Sequence, residues 1–249
     1  VGLRILQKLP LGMTAGAYAE GRGFRVLEDS LSGLLLELAD GITVRTPLVG
    51  AFNAENVAGA LMLARAVLET TELHLDWPQV VKEAAGTFRG PPGRMERIPS
   101  TDGRHVFVDY AHTDDALLNV LKTLQELGPR RLILVFGAGG DRDKEKRPLM
   151  GRVADQNADY SIITSDNPRK EDPLAIIADV KKGFKTENFE TVPDRAEAIA
   201  RAIALAQPHD IILIAGKGHE TYQEFADHTI PFDDRHTARR AIENRPLEF

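Results

Sequence analysis

Four short polar segments hold the residues whose types and spacing could do chemistry. Asp109-Tyr110-Ala111-His112-Thr113-Asp114 sets a carboxylate and an imidazole at the end of an apolar run. Thr113 or Asp114 is free to cap a following helix. Gly137-Ala138-Gly139-Gly140-Asp141-Arg142-Asp143-Lys144 begins like a dinucleotide loop, but its sixth position is Arg142 rather than glycine. That excludes the Rossmann fingerprint, and the Walker pattern fails as well. What is left is a tight turn presenting a guanidinium, suited to bidentate binding of a carboxylate or phosphate. Ser165-Asp166-Asn167-Pro168-Arg169 offers an acceptor, an amide and a cation at one point, enough to hold both ends of a zwitterionic amino acid. In Ala215-Gly216-Lys217-Gly218-His219-Glu220, two glycines and a lysine precede a histidine–carboxylate pair. A zinc site needs further ligands than these two neighbours, so a phosphate or substrate loop fits better. Taken singly, the first three segments read more readily as a cap, a glycine turn with a solvated charge cluster and ordinary turn chemistry.

The elements that must position these segments give them their force. Val106–Asp109, Leu132–Phe136, Tyr160–Ile163 and Ile211–Ile214 are compact apolar runs. Helical patterns fall at 114–126, 147–157, 173–184 and 194–206. Strands alternating with helices predict an α/β fold, a mostly parallel Rossmann-like sheet with helices on both faces. Ligands of such sheets bind at the carboxyl ends of the strands. All four polar segments stand at those ends, a coincidence that chance seldom produces. Upstream the rhythm differs. Residues 16–48 read as short strands, with Asp40-Gly41 an apt hairpin turn. Asn56–Leu68 has helical spacing, and a second helix is expected after Asp76-Trp77-Pro78. Gly90-Pro91-Pro92-Gly93 is the strongest break, giving expected domains at 1–93 and 94–249.

Bulk composition narrows the function classes. With 43% hydrophobic and 27% charged residues, the 249-residue chain has the make-up of a soluble globular protein. A net charge of -6 argues against a nucleic-acid partner. The absence of cysteine excludes disulfides, thiolate catalysis and Cys-based zinc sites. No apolar run approaches the ~18 residues of a membrane helix.

The segments Asp109–Thr113, Gly139–Asp143, Asp166–Arg169 and Gly216–Glu220 occur in the order and spacing seen in Mur ligases. The resemblance extends to Gly50–Asn56 and Gly93–Glu96 and covers about residues 16 to 242. Within the family the chain looks most like the members that add meso-diaminopimelate to UDP-N-acetylmuramoyl-L-alanyl-D-glutamate. The resemblance implies residues 1–93 to be the C-terminal part of an α/β ATP-binding central domain, followed by the amino-acid-binding domain. It implies ATP and Mg2+ as cofactors, a cytoplasmic monomer, and an acyl phosphate displaced by the incoming amine. It implies that Asn53 and Arg94 contact the nucleotide, Asp109 its ribose, and that His112 lies near the phosphates. Arg142, Asp166, Asn167, Pro168, Arg169, Gly216 and Glu220 match the diaminopimelate pocket. Arg169 accompanies diaminopimelate in the family because that substrate bears a distal carboxylate, which lysine lacks.

The sequence departs from the family in having no Gly-Lys-Thr/Ser phosphate loop, no magnesium-binding Glu and His, and no central-domain lysine to carbamylate. With a start at Val1 rather than methionine, the expectation is a C-terminal fragment that is inactive alone. The rival readings are a lysine-adding Mur ligase, a folylpolyglutamate synthase-like ligase, and a non-catalytic amino-acid or nucleotide-binding module. A nicotinamide-dependent Rossmann enzyme needs the glycine that Arg142 replaces.

Overall fold

A computed structural model describes residues 23–71 and 75–243. The expectations for residues 16–22 lie outside that range. The chain divides into two units, Val1–Arg89 and Gly90–Phe249, so the division falls at the start of the Gly-Pro-Pro-Gly break.

In the first unit three antiparallel strands, β1 (Phe24–Ser30), β2 (Gly33–Leu38) and β3 (Thr43–Thr46), lie in sequential order. The β2–β3 turn is closed as Asp40-Gly41 predicts: Gly41 has φ 81° and Asp40 accepts from the Ile42 N–H at 3.2 Å. Period-two alternation turns Leu34, Leu36 and Leu38 to one face. There they share a core with Val57, Ala58 and Leu61 of α1 (Ala51–Glu69) and Val81 and Ala85 of α2 (Trp77–Thr87). Asp76 caps α2 by accepting from the Gln79 N–H at 3.4 Å, with proline in the first turn.

The second unit is built on a six-stranded sheet of order β4-β5-β9-β6-β7-β8. Its four long-predicted strands are β5 (His105–Asp109), β6 (Leu132–Phe136), β7 (Tyr160–Ile163) and β9 (Ile211–Ala215), all parallel. Two short edge strands escaped the sequence reading: antiparallel β4 (Glu96–Ile98) and parallel β8 (Phe189–Thr191). One face, carrying Val106, Val108, Ile133, Val135, Ile212 and Ile214, packs on Ile199, Ala202 and Ile203 of α6 (Arg195–Leu205) and Ala238 of α7 (Asp234–Ile242). The alternate residues, among them Phe107, Leu134, Phe136 and Leu213, are fully buried on the opposite face. On that side α3 (Asp114–Glu126), α4 (Lys146–Asn157) and α5 (Pro173–Lys181) pack side by side. The helix expected at 173–184 stops at Lys181, and α7 was not anticipated. A hairpin of β10 (Tyr222–Glu224) and β11 (Thr229–Pro231) completes the unit.

This strand order decides where the chemistry collects. β9 is inserted between β5 and β6, so the loop after it sits in the middle of the rim. The loops after β5, β6 and β7 flank it.

Candidate functional site

Those four loops enclose a cleft of about 540 Å³, within the range of small-molecule sites. Arg142, Asp166, Asn167, Arg169, Gly216 and Glu220 all line it, as do His112, Tyr110 and Tyr222. Pro168 does not reach the cleft. Its carbonyl lies under Gly140, where an added Cβ would stand 1.8 Å from the oxygen. Glycine at 140 is therefore a close-approach requirement between the β6 and β7 loops.

The Asp166–Arg169 segment is held from both sides. The Asn167 Nδ2 donates to Glu220 Oε2 at 2.9 Å, and Asn167 Oδ1 accepts from Lys217 Nζ at 2.8 Å and from the Glu224 N–H at 3.0 Å. Gln223 Nε2 donates to the Asp166 carbonyl at 2.7 Å. Arg169 adopts a left-handed φ of 50°, which an L-residue other than glycine takes only when its surroundings impose it. They do so here: its N–H donates to the Glu224 carbonyl at 3.0 Å and its Nε to the Glu224 carboxylate at 3.0 Å. Its Nη1 donates to the Gly140 carbonyl at 2.7 Å.

Beneath the cleft lies a charge cluster that the sequence did not disclose. Lys217 is fully buried, with Glu220 Oε2 3.3 Å and Asp166 Oδ1 4.0 Å from its Nζ. Burial pushes its ammonium below the ordinary lysine value, against the neighbouring carboxylates, which act to raise it. Arg195 is also fully buried. Its Nε and Nη2 donate to the two oxygens of buried Asp234 at 2.8 Å each, and Nη2 donates to the Ala215 carbonyl at 2.9 Å. Asp166 Oδ2 is buried and accepts no protein hydrogen bond, with Arg195 Nη1 4.0 Å away. Gly216, at φ 119°, leaves it room: a Cβ there would lie 2.5 Å from that oxygen. No sequence signal marks Arg195, which follows the helix cap Asp194 and reads as an ordinary solvated helix arginine.

The β6 loop has its own anchor. Buried Arg147 donates from both terminal nitrogens to Glu171, at 2.7 and 3.0 Å, and Glu171 also accepts from the Asp141 N–H at 2.7 Å. The Arg147 hydrogen bonds, foremost among the causes, bring the Glu171 carboxyl from 4.5 down to about 2. A depressed carboxyl contributes stability that is complete above its unfolded value and is lost as pH falls through the folded one. Wild-type unfolding midpoints in urea are therefore expected to fall between about pH 4.5 and pH 2. The Glu171→Gln variant should show a shallower decline there; parallel curves for the two proteins would refute the assignment.

The residues matched to nucleotide contacts are more dispersed. Arg94 is exposed, with its guanidinium 4.6 Å from the centroid of the Tyr110 ring. The His112 and His219 rings lie 4.6 and 5.2 Å from the same tyrosine. Asp109 is only 6% exposed, and its oxygens accept from the Met95 and Ala111 N–H groups at 2.8 Å each. Burial raises its carboxyl above the ordinary value despite these two bonds. Asn53 belongs to the first unit, where its Nδ2 donates to the Val49 carbonyl at 2.8 Å.

Fold and site together define a mostly parallel α/β domain with a charge-lined cleft at its strand ends. The family model for the Mur ligase, glutamate ligase domain matches residues 93–218. The chain belongs to the Mur ligase family. It is 42% identical, over 95% of its length and 47% of the relative's, to the UDP-N-acetylmuramoyl-L-alanyl-D-glutamate–2,6-diaminopimelate ligase of Solibacter usitatus. It is 48% identical to the ligase of the same name from Coxiella burnetii, over 80% of this chain and 40% of that one. A solved structure of a ligase of that name superposes with a TM-score of 0.69 at 42% identity, covering 89% of this chain and 45% of the other. The folylpolyglutamate synthase of Mycobacterium tuberculosis shares the fold, with a TM-score of 0.57 at 22% identity over 91% of this chain and 49% of the other. The chain spans about half the length of the curated relatives it matches. Among the described residues no helix is long and apolar enough to cross a membrane.

Proposed function

We propose that the whole protein joins meso-diaminopimelate to UDP-N-acetylmuramoyl-L-alanyl-D-glutamate at the expense of ATP, in the cytoplasmic synthesis of peptidoglycan precursors. This chain supplies the pocket for the incoming amino acid. The observation that carries the reading is the pairing of charges around one cleft. Arg142 and Arg169 stand ready for carboxylates, and Asp166 and Glu220 for ammonium groups. Diaminopimelate bears two of each, so every one of these side chains has a partner. Lysine would leave one guanidinium without a carboxylate, and a site built around polar partners discriminates strongly against a ligand lacking one.

In the second unit, Arg94, His112 and the Tyr110 ring would hold nucleotide; Asn53 of the first unit is proposed separately as a nucleotide contact. Asp109 keeps unused lone pairs for a ribose hydroxyl beside its two backbone bonds. ATP supplies the activation of the substrate carboxylate; the residues described here bind and orient the amine that follows. Among the described residues no group of three or more His, Asp or Glu is placed to hold a metal ion. Mg2+ would accompany the nucleotide phosphates.

Thermal unfolding of this chain with candidate amino acids tests the proposal. Diaminopimelate at 100 times its Kd should stabilise by about 2.7 kcal/mol, a rise in Tm of roughly 5–10 °C. Lysine at the same concentration should give little. Protection by lysine and not by diaminopimelate would reverse the assignment.

A further inference from the structure

Lys217 has no place among the residues that touch the cleft, yet three that do are arranged around it. Its Nζ donates to Asn167 Oδ1 at 2.8 Å and to Glu220 Oε2 at 3.3 Å, with Asp166 Oδ1 at 4.0 Å. Asn167 closes the triangle by donating to the same Glu220 oxygen at 2.9 Å. The ammonium is sealed from solvent, with the Tyr222 ring 5.6 Å from it on the cleft side. Glycines flank it, and Gly218 at φ 53° passes within reach of the Gly93 backbone, so the loop's path is fixed on both sides. The other charges facing this point are Arg195 and Asp234, already bound to each other.

A buried lysine is costly, because burial disfavours its charged form. Were its only duty to fill space, methionine would serve better. Its geometry gives it another. Asn167 has an amide whose oxygen and nitrogen must be told apart, and the Lys217 ammonium, together with the Glu224 N–H, puts donors on the oxygen side and leaves one orientation only. That orientation points Nδ2 at Glu220 Oε2, on a side chain that lines the cleft. The same cation stands 3.3 Å from Glu220 Oε2 and 4.0 Å from Asp166 Oδ1 and so offsets the crowding of two carboxylates at one point.

We infer that Lys217 is a positioning residue for amine recognition, setting the Asn167 amide and the Glu220 carboxylate from below without touching the ligand. The inference rests on the proposed diaminopimelate pocket for its ligand and on the Lys217–Asn167–Glu220 triangle for its geometry.

The test uses the full chain as wild type and as Lys217→Met, Lys217→Arg, Glu220→Gln and the Lys217→Met/Glu220→Gln pair. Binding is measured by calorimetry with meso-diaminopimelate, and the Asn167 side-chain amide is followed by NMR. Lys217→Met should bind about 10- to 100-fold more weakly, the loss of one charge-assisted hydrogen bond. Lys217→Arg should recover part of that. The double variant should bind more weakly than Glu220→Gln but by less than the sum of the two single losses, since lysine acts partly through glutamate and partly through the Asn167 amide. It also removes both charges, so it remains readable if Lys217→Met fails to fold. Additive losses in the double variant, or unchanged affinity in Lys217→Met, would overturn the inference. Should wild type bind no diaminopimelate, the functional reading falls, and the Asn167 amide decides alone. A loss of its shift dispersion and exchange protection in the double variant relative to Glu220→Gln upholds the role, and an unaltered resonance rejects it.

Discussion

Replacing Asp234 with alanine is expected to destabilise the second unit by about 3–5 kcal/mol, the cost of leaving one member of a buried ion pair alone. Both partners are fully shielded, and the two oxygens of Asp234 accept from Arg195 at 2.8 Å each. Without them the guanidinium keeps, among the described residues, the Ala215 carbonyl at 2.9 Å and a weak contact to the Ser165 carbonyl at 3.5 Å. Asp166, 4.0 Å from Nη1, would be drawn toward the vacated charge, so ligand binding should weaken as well. In a unit of this size the loss corresponds to a drop in Tm of roughly 6–20 °C. Chemical denaturation of wild type, Asp234→Ala and Arg195→Met/Asp234→Leu separates the causes. The double variant should regain most of the stability, because a buried pair replaced by apolar side chains is often neutral or better. A loss under 1 kcal/mol in the single variant would mean that water reaches the pair and that it does not anchor the rim.

That pair also marks the limit of what the sequence discloses. Long apolar runs and helical spacing located β5, β6, β7 and β9, and α3 begins and ends where its pattern predicts, at Asp114 and Glu126. Strand-end logic then brought together the side chains that now line one cleft, because parallel strands carry their following loops to one rim. Three-residue strands such as Glu-Arg-Ile and Phe-Glu-Thr have too little alternation to register. Lys217, Arg195 and Asp234 stayed hidden for a different reason. Whether a charge faces water or a counter-charge is settled by distant partners, 50 positions apart for Lys217 and Asn167 and 39 for Arg195 and Asp234, and no local period encodes that. Asp109 gives the converse lesson. A carboxylate at a strand end reads as a ligand contact alone, and the structure adds a second duty, since it also accepts from the Met95 and Ala111 N–H groups. Glu224 was missed because the hairpin carrying it was missed, although it fixes Arg169 through both backbone and side chain.

Arg169→Ala is the substitution expected to separate diaminopimelate from lysine most sharply. Glu224 and the Gly140 carbonyl engage Nε and Nη1, leaving Nη2 without a protein partner among the described residues and available at the cleft. A charge-assisted bond to a ligand carboxylate contributes about 1.5–3 kcal/mol, so diaminopimelate affinity should fall roughly 10- to 150-fold. Lysine has no distal carboxylate to lose, and its affinity should stay within about a factor of two. Backbone strain does not confuse the comparison, since alanine is disfavoured at φ 50° for the same Cβ reason as arginine. The Glu224 carboxylate, half-exposed on the hairpin, is hydrated when its partner goes and adds little penalty of its own. Calorimetric titration of both amino acids against both proteins gives the four numbers needed. Equal losses for the two ligands would make Arg169 a loop anchor, and an unchanged diaminopimelate affinity would place the distal carboxylate on Arg142 instead. Only a loss confined to diaminopimelate makes the left-handed arginine, held in place by Glu224, the residue that reads the second carboxylate.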